Sequence, residues 1–156
     1  MKEKVLEISA VKLNTCSLNL TLCCVYRSPS VKPKYFLELL EKTLRSLYQP
    51  NVSLVICGDL NINFLVNSTM KLNLESIMKT FNLTQAVTFP KRICKDKGTL
   101  IDSIFLDTTK FNNISVHPFD SGLSDHMAQI LTLGDVRVPP SKCAYTKETK
   151  LMDIIQ

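Results

Sequence analysis

A layered α/β (α+β) domain is the fold class this sequence predicts, on three observations. Short apolar runs rich in β-branched residues alternate with amphipathic helical stretches. Hydrophobic residues make up 45% and charged residues 21%, the balance of a globular chain rather than a disordered one. The length, 156 residues, suits one domain with a real core and is short for two.

Taken in order, Val5 to Leu13 alternates as a strand, and Leu18 to Val25 forms a second after a hairpin turn near Asn14-Thr15. "YRSPSVKPKY" breaks both periodicities with two prolines and is a loop. Tyr35 to Leu47 places Phe36, Leu39, Leu40, Leu44 and Leu47 on one face of a helix. Val52 to Cys57 is a buried strand, and Leu72 to Phe81 is a second helix facing inward through Leu74, Ile77, Met78 and Phe81. "TFPKRICKDKG" is a long basic loop. Leu100 to Leu106 is a strand, Ile114 to Val116 a short one, and Ala128 to Leu133 closes the domain at 1–133. Residues 134–156, with adjacent prolines and then polar residues, are expected to be a linker or tail.

The net charge of +5 favours an anionic partner, with the densest cluster at Lys91, Arg92, Lys95 and Lys97. Cys23, Cys24 and Cys57 lie in apolar runs, where a free thiol acts as a small hydrophobe. Neither a CxxC pair nor a zinc-type Cys/His spacing occurs, and "MKEKVLEISAVKL" has no uninterrupted apolar leader core. The expectation is an intracellular, reduced protein, nuclear or cytoplasmic and not secreted, despite five N-x-S/T sequons. No stretch approaches the ~20 apolar residues of a membrane span.

The chemistry is concentrated at strand ends. "SLVICGDLNIN" runs from an apolar strand into Gly58, Asp59 and Asn61. Alone, an Asp and an Asn there only close a turn by bonding the local backbone. Other strands behave in the same way. Tyr26-Arg27 follow "TLCCV", Asp102 interrupts "LIDSIFL", and Ser124-Asp125-His126 precede "MAQIL". A charge inside an apolar strand requires a partner or a metal, so Asp102 is the most telling of these. Several such ends in one sheet make a polar cleft suited to phosphodiester hydrolysis. One carboxylate can deprotonate water and another can hold a hard divalent cation, while His, Asn and Tyr steady the phosphate. Oxygen-rich, cysteine-free site chemistry favours Mg²⁺ over zinc. The competing serine-hydrolase chemistry requires a G-x-S-x-G elbow, which is absent.

The order "VYRSP", "GDLNIN", "TLIDSIF", "SDH" resembles the endonuclease/exonuclease/phosphatase superfamily. More narrowly, it is similar to the apurinic-type endonuclease domain of non-LTR (LINE-type, jockey-like) retrotransposons, over about Val5 to Leu133. The resemblance implies a four-layer α/β-β/α sandwich of the DNase I-like type, incomplete at its N-terminal side. It implies a Mg²⁺-dependent (or Mn²⁺-dependent) DNA-nicking endonuclease, linked to a reverse transcriptase in a full-length parent. By the same likeness Asp59 would be the general base and Asn61 would orient water or phosphate. Tyr26 would face the scissile phosphate, His126 would bind or protonate it, and Asp102 would stand behind His126. Asp125 would hold the metal, Ser124 would support its loop, and Arg27 and Thr99 would touch the DNA backbone. The family's first strands carry a metal-binding Glu, for which Glu3 and Glu7 lie in the wrong context. That departure predicts weak or absent cleavage by this chain alone, the alternatives being a catalytically dead nucleic-acid-binding remnant or another phosphodiesterase or phosphatase of the superfamily.

Overall fold

The computed structural model describes residues 6–15, 18–88, 92–94, 97–120, 122, 126–134 and 146–152. Strands β1 (Leu6–Asn14) and β2 (Asn19–Arg27) form an antiparallel hairpin, and helix α1 (Pro33–Leu47) follows with Pro33 in its first turn. Next come β3 (Ser53–Asp59) and α2 (Thr69–Thr80), whose start is capped by the Ser68 side chain accepting from Lys71 N–H. Short β4 (Thr84–Gln85), β5 (Arg92–Cys94) and β6 (Lys97–Thr99) lead into β7 (Asp102–Leu106). Strands β8 (Asn113–Phe119), β9 (Ala128–Gly134) and β10 (Thr146–Met152) complete the order.

Six strands make one sheet in the order β10-β1-β2-β3-β7-β4, and β5-β6 and β8-β9 are two-stranded sheets. Within the large sheet β2 and β3 run parallel, whereas β7 runs antiparallel to β3. Parallel central strands are covered on both faces, which is why β3 reads as an unbroken apolar run through Leu54, Val55 and Ile56. The helices contribute Phe36, Leu40, Leu44, Leu74 and Met78 to the same buried cluster as Leu54, Ile56 and Phe105. Tyr48 and Phe81 meet edge to face at 5.5 Å, joining the ends of the two helices. On the other face, Leu22, Val55, Cys57 and Ile104 line a cavity of about 410 Å³ together with Met127, Ala128 and Leu131 from the start of β9. The large sheet therefore lies between a helical layer and the β8-β9 sheet, the expected α+β layering.

Side-chain alternation along a strand sorts these faces. Cys23, Val25 and Arg27 point to the helices and are buried, whereas Cys24 and Tyr26 are exposed. The opposite sides of "CCVYR" thus belong to different parts of the molecule.

The structure corrects three expectations about elements. The basic stretch holds a hairpin, β5 with β6, rather than a loop throughout; its polar composition hides the pairing. Thr146–Met152 is not tail but a strand in register with Ile8–Asn14 at the sheet edge, where Lys-rich, polar sequence is common and carries no apolar alternation. Both helices begin earlier than their apolar periodicity, α1 at Pro33 because proline suits a first helical turn and α2 at Thr69 because Ser68 caps it.

Gly58 brings β3 close against the backbone of β2. Its φ is +137°, and a Cβ there would lie 2.0 Å from the Val25 carbonyl oxygen. Gly58→Ala is expected to destabilise the fold by about 3 kcal/mol or more, measured as a lowered urea midpoint with unchanged slope.

Candidate active site

Strand direction assembles the site. Because β2 and β3 are parallel, Tyr26-Arg27 and Asp59 emerge at the same rim. Because β7 runs the other way, it begins at that rim with Asp102, the direct register partner of Asp59. His126, just before β9, completes the group. One ligand atom each from Asp59, Asp102 and His126 lies within 4.8 Å of the others.

His126 Nδ1 and Asp102 Oδ2 are 2.9 Å apart. This contact assigns the proton of a neutral ring to Nδ1 and the basic lone pair to Nε2, the arrangement by which a carboxylate orients an imidazole. The main-chain carbonyl of Asp102 also accepts from Gln129 Nε2 at 3.1 Å, tying the beginning of β7 to β9. Asp59 Oδ1 accepts from the main-chain N–H of Asn61 at 2.9 Å, an Asx turn. Its carboxyl is held above the ordinary Asp range. Burial is the main cause and the facing Asp102 adds to it, against the opposing pull of the Asn61 amide, His126 and Arg27.

Asn61 adopts φ +49°, a left-handed conformation that Asn tolerates better than most residues. Its Nδ2 donates to the Arg27 carbonyl at 2.7 Å, leaving a second amide hydrogen and the side-chain oxygen for other partners. Arg27 answers through its guanidinium: Nε donates to Leu60 O at 2.7 Å, one terminal nitrogen to Asn61 O at 2.8 Å and the other to Val31 O at 3.1 Å. The guanidinium carbon lies 5.6 Å from the Phe36 ring centroid, on the helical side of the sheet.

The structure thus brings together Asp59, Asn61, Asp102 and His126, with Tyr26 at the same rim and 42% exposed. It does not give Arg27 the exposed position expected of a DNA contact. The residue is 5% exposed, and three of its donors are committed to main-chain carbonyls. The Thr99 hydroxyl is likewise buried, with no hydrogen-bond partner among the described residues. Ser124 and Asp125 lie outside the described residues.

Asn63 is a residue that sequence reasoning missed. Its Oδ1 accepts from Leu65 N–H at 3.1 Å and from Leu100 N–H at 3.2 Å, while Leu60 N–H and Phe64 N–H donate to the carbonyls of Ile101 and Leu100. The segment after Asp59 is therefore laced to the segment before Asp102. The available signal was the alternation of buried Leu60, Ile62 and Phe64 with polar Asn61 and Asn63, which continues beyond the strand.

Residues 20–130 match the model of the endonuclease-reverse transcriptase family, within the endonuclease/exonuclease/phosphatase superfamily, and the chain belongs to that family. Among solved structures it is similar to the endonuclease domain of TRAS1, a telomere-specific non-LTR retrotransposon. The TM-score is 0.68 at 18% identity, covering 82% of this chain and 64% of that one. It is also similar to beta toxin from Staphylococcus aureus, with a TM-score of 0.54, 15% identity, and 81% and 56% of the two chains covered. A mannosyl-6-phosphatase of Bacteroides thetaiotaomicron gives a TM-score of 0.52 at 11% identity, covering 76% and 52%. These likenesses show the DNase I-like fold, and the chain spans 64% of the length of the TRAS1 domain. Among curated proteins none matches significantly. No described helix is long and apolar enough to cross a membrane.

Two substitutions check the site's construction. Arg27→Lys removes the planar fork and leaves buried carbonyls unpaired, so it is expected to lower stability by about 2 kcal/mol or more, read from chemical denaturation. Asp59→Asn keeps the acceptor for Asn61 but removes the buried charge. A raised carboxyl favours the folded state at low pH, and this contribution is lost as pH rises through its value. Asp59→Asn should therefore raise the thermal midpoint at pH 7 and change it less at acidic pH, as calorimetry at both pH values would show.

Proposed function

We propose that this chain carries the catalytic rim of a divalent-cation-dependent, DNA-nicking phosphodiesterase. The observation that supports it best is the direct register of Asp59 with Asp102, together with the His126–Asp102 contact. Burial is the main reason the Asp59 carboxyl is raised, the facing Asp102 adds to it, and a bound cation would offset both.

The donor set fits a hard cation. One oxygen of Asp102 is used by His126 and its second could hold the cation, while the oxygen of Asp59 that Asn61 leaves open is kept for accepting a proton. Mg²⁺ typically takes one or two carboxylates and completes its shell with water and substrate phosphate. Mg²⁺ is therefore the ion proposed, with Mn²⁺ as a substitute of the same oxygen preference. Asp125 is proposed as a further ligand, and Ser124 as support for its loop. When bound, the ion neutralises charge developing on the phosphoryl oxygens.

The chain's own residues do the rest. Asp59, ionised above its raised range, accepts the proton of the attacking water. Asn61, held by its bond to the Arg27 carbonyl, orients that water or the phosphate with its remaining amide groups. His126, kept in one tautomer by Asp102, presents Nε2 to the phosphate and exchanges a proton there. Tyr26 offers its hydroxyl from the rim. Arg27 is a positioning residue beneath them, since its bonds fix the turn that carries Asn61. The net charge of +5 suits a polyanionic substrate. Family membership supports DNA as that substrate, a reverse transcriptase as the linked partner in a longer protein, and an intracellular site of action.

Purified chain incubated with supercoiled plasmid and Mg²⁺ is expected to produce nicked circles slowly, as the departure at Glu3 and Glu7 from the family's metal-binding Glu predicts. Asp59→Ala and His126→Ala should each reduce the rate by about 10²-fold or more, and EDTA should abolish it. A chain that melts cooperatively yet leaves the plasmid supercoiled at every Mg²⁺ and Mn²⁺ concentration would overturn the proposal.

A further inference from the structure

The face of the sheet that carries Tyr26 and Asp59 also carries two thiols one alternation further from the rim. Cys24 and Cys57 are direct register partners on the neighbouring strands β2 and β3. Their sulfurs are 3.4 Å apart, in contact. Adjacent strands lie ~4.8 Å apart, a separation within the ~4.4–6.8 Å that Cα atoms span across a disulfide. Cys24 is exposed, Cys57 is half-buried at the wall of the cavity that also reaches Asp102 and His126, and Cys23 is buried on the opposite face. An outer thiol that meets oxidant first, with a second thiol in contact behind it, is the arrangement of a peroxide-responsive pair.

We propose that Cys24 and Cys57 form a reversible disulfide when the protein meets a peroxide, joining β2 to β3 two residues before Tyr26 and Asp59. The Cys24 thiolate attacks one peroxide oxygen, breaking the O–O bond and becoming a sulfenic acid while the other oxygen leaves as hydroxide. The Cys57 sulfur then attacks the Cys24 sulfur, forming S–S and expelling hydroxide. The protons released by the two thiols convert both hydroxides to water. The two sulfurs supply the two electrons that the peroxide takes up, and a dithiol reductant reverses the change by thiol–disulfide exchange. The bond needs little rearrangement because the ladder already holds both residues at bridging separation, whereas Cys23 faces away from Cys57 and is not a competitor.

The test treats the full chain with hydrogen peroxide, blocks remaining thiols with iodoacetamide, and maps tryptic peptides without reduction. The expected product links the peptide of residues 13–27 to that of residues 46–71, which contains only Cys57. The link should vanish in Cys24→Ser, persist in Cys23→Ala and disappear when the oxidised wild-type chain is treated with dithiothreitol. The oxidised wild-type chain should also melt at a higher temperature than the reduced one, a shift that Cys57→Ser lacks. A linked product that survives Cys24→Ser would overturn the assignment. So would Cys24 oxidised to sulfinic acid, or capped by added glutathione, while Cys57 remains fully alkylated.

Discussion

The guanidinium of Arg27 ties the turn after β3, which carries Asn61, to the end of β2. Three main-chain carbonyls, of Val31, Leu60 and Asn61, converge on one buried cation, and Asn61 returns a bond to the Arg27 carbonyl. Without that cation the buried Leu60 carbonyl and the half-buried Val31 and Asn61 carbonyls would lose these partners, and the turn that holds Asn61 in its left-handed conformation would lose much of its support. Burial opposes the charge and lowers the tendency of Arg27 to stay protonated, with nearby Asp59 working in the opposite direction. The group nevertheless remains a cation at neutral pH, because guanidinium begins so far above it. Asp59 gains from the same cation, which offsets part of what burial and Asp102 do to its carboxyl.

Around that clamp the sheet acts as a ruler. Asp59 and Asp102 face each other because β3 and β7 are antiparallel neighbours in one register, and a slip of one residue would turn one of them into the helical core. Gly58 allows this by bringing β3 against the Val25 backbone where any side chain would collide. Asn63 and the bonds from Leu60 and Phe64 continue the lacing beyond the strand, so the Asp59 turn is tied to the approach to Asp102.

Much of this was legible in the sequence. Asp102 stood out because a carboxylate in "LIDSIFL" requires a partner, and His126 is that partner. Asp59 and Asn61 were readable from a glycine and two polar residues ending an apolar run. What could not be read was the division of labour within Tyr26-Arg27. Both residues are long and polar-tipped, and only the alternation of a strand whose partners are known sends Tyr26 to the rim and Arg27 under Phe36. The β10 strand was invisible for a different reason: its place is fixed by hydrogen bonds to β1 along an edge, and "TKETKLM" carries no apolar alternation to announce them. The β5-β6 hairpin shares that property, since strands of three residues, Arg-Ile-Cys and Lys-Gly-Thr, are too short to show an alternation.

Fixing two carboxylates by a ladder instead of by a loop separates the chemistry from the chain that lies between them. The register of Asp59 with Asp102 is set by the β3–β7 ladder, whereas α2, β4 and the basic β5-β6 hairpin are all inserted between those strands. Lengthening, shortening or recharging the hairpin leaves the ladder in place, because no rung of the β3–β7 pairing belongs to it. Such a protein can vary the hairpin without moving the two carboxylates, which leaves that segment freer to diverge than the strands on either side of it.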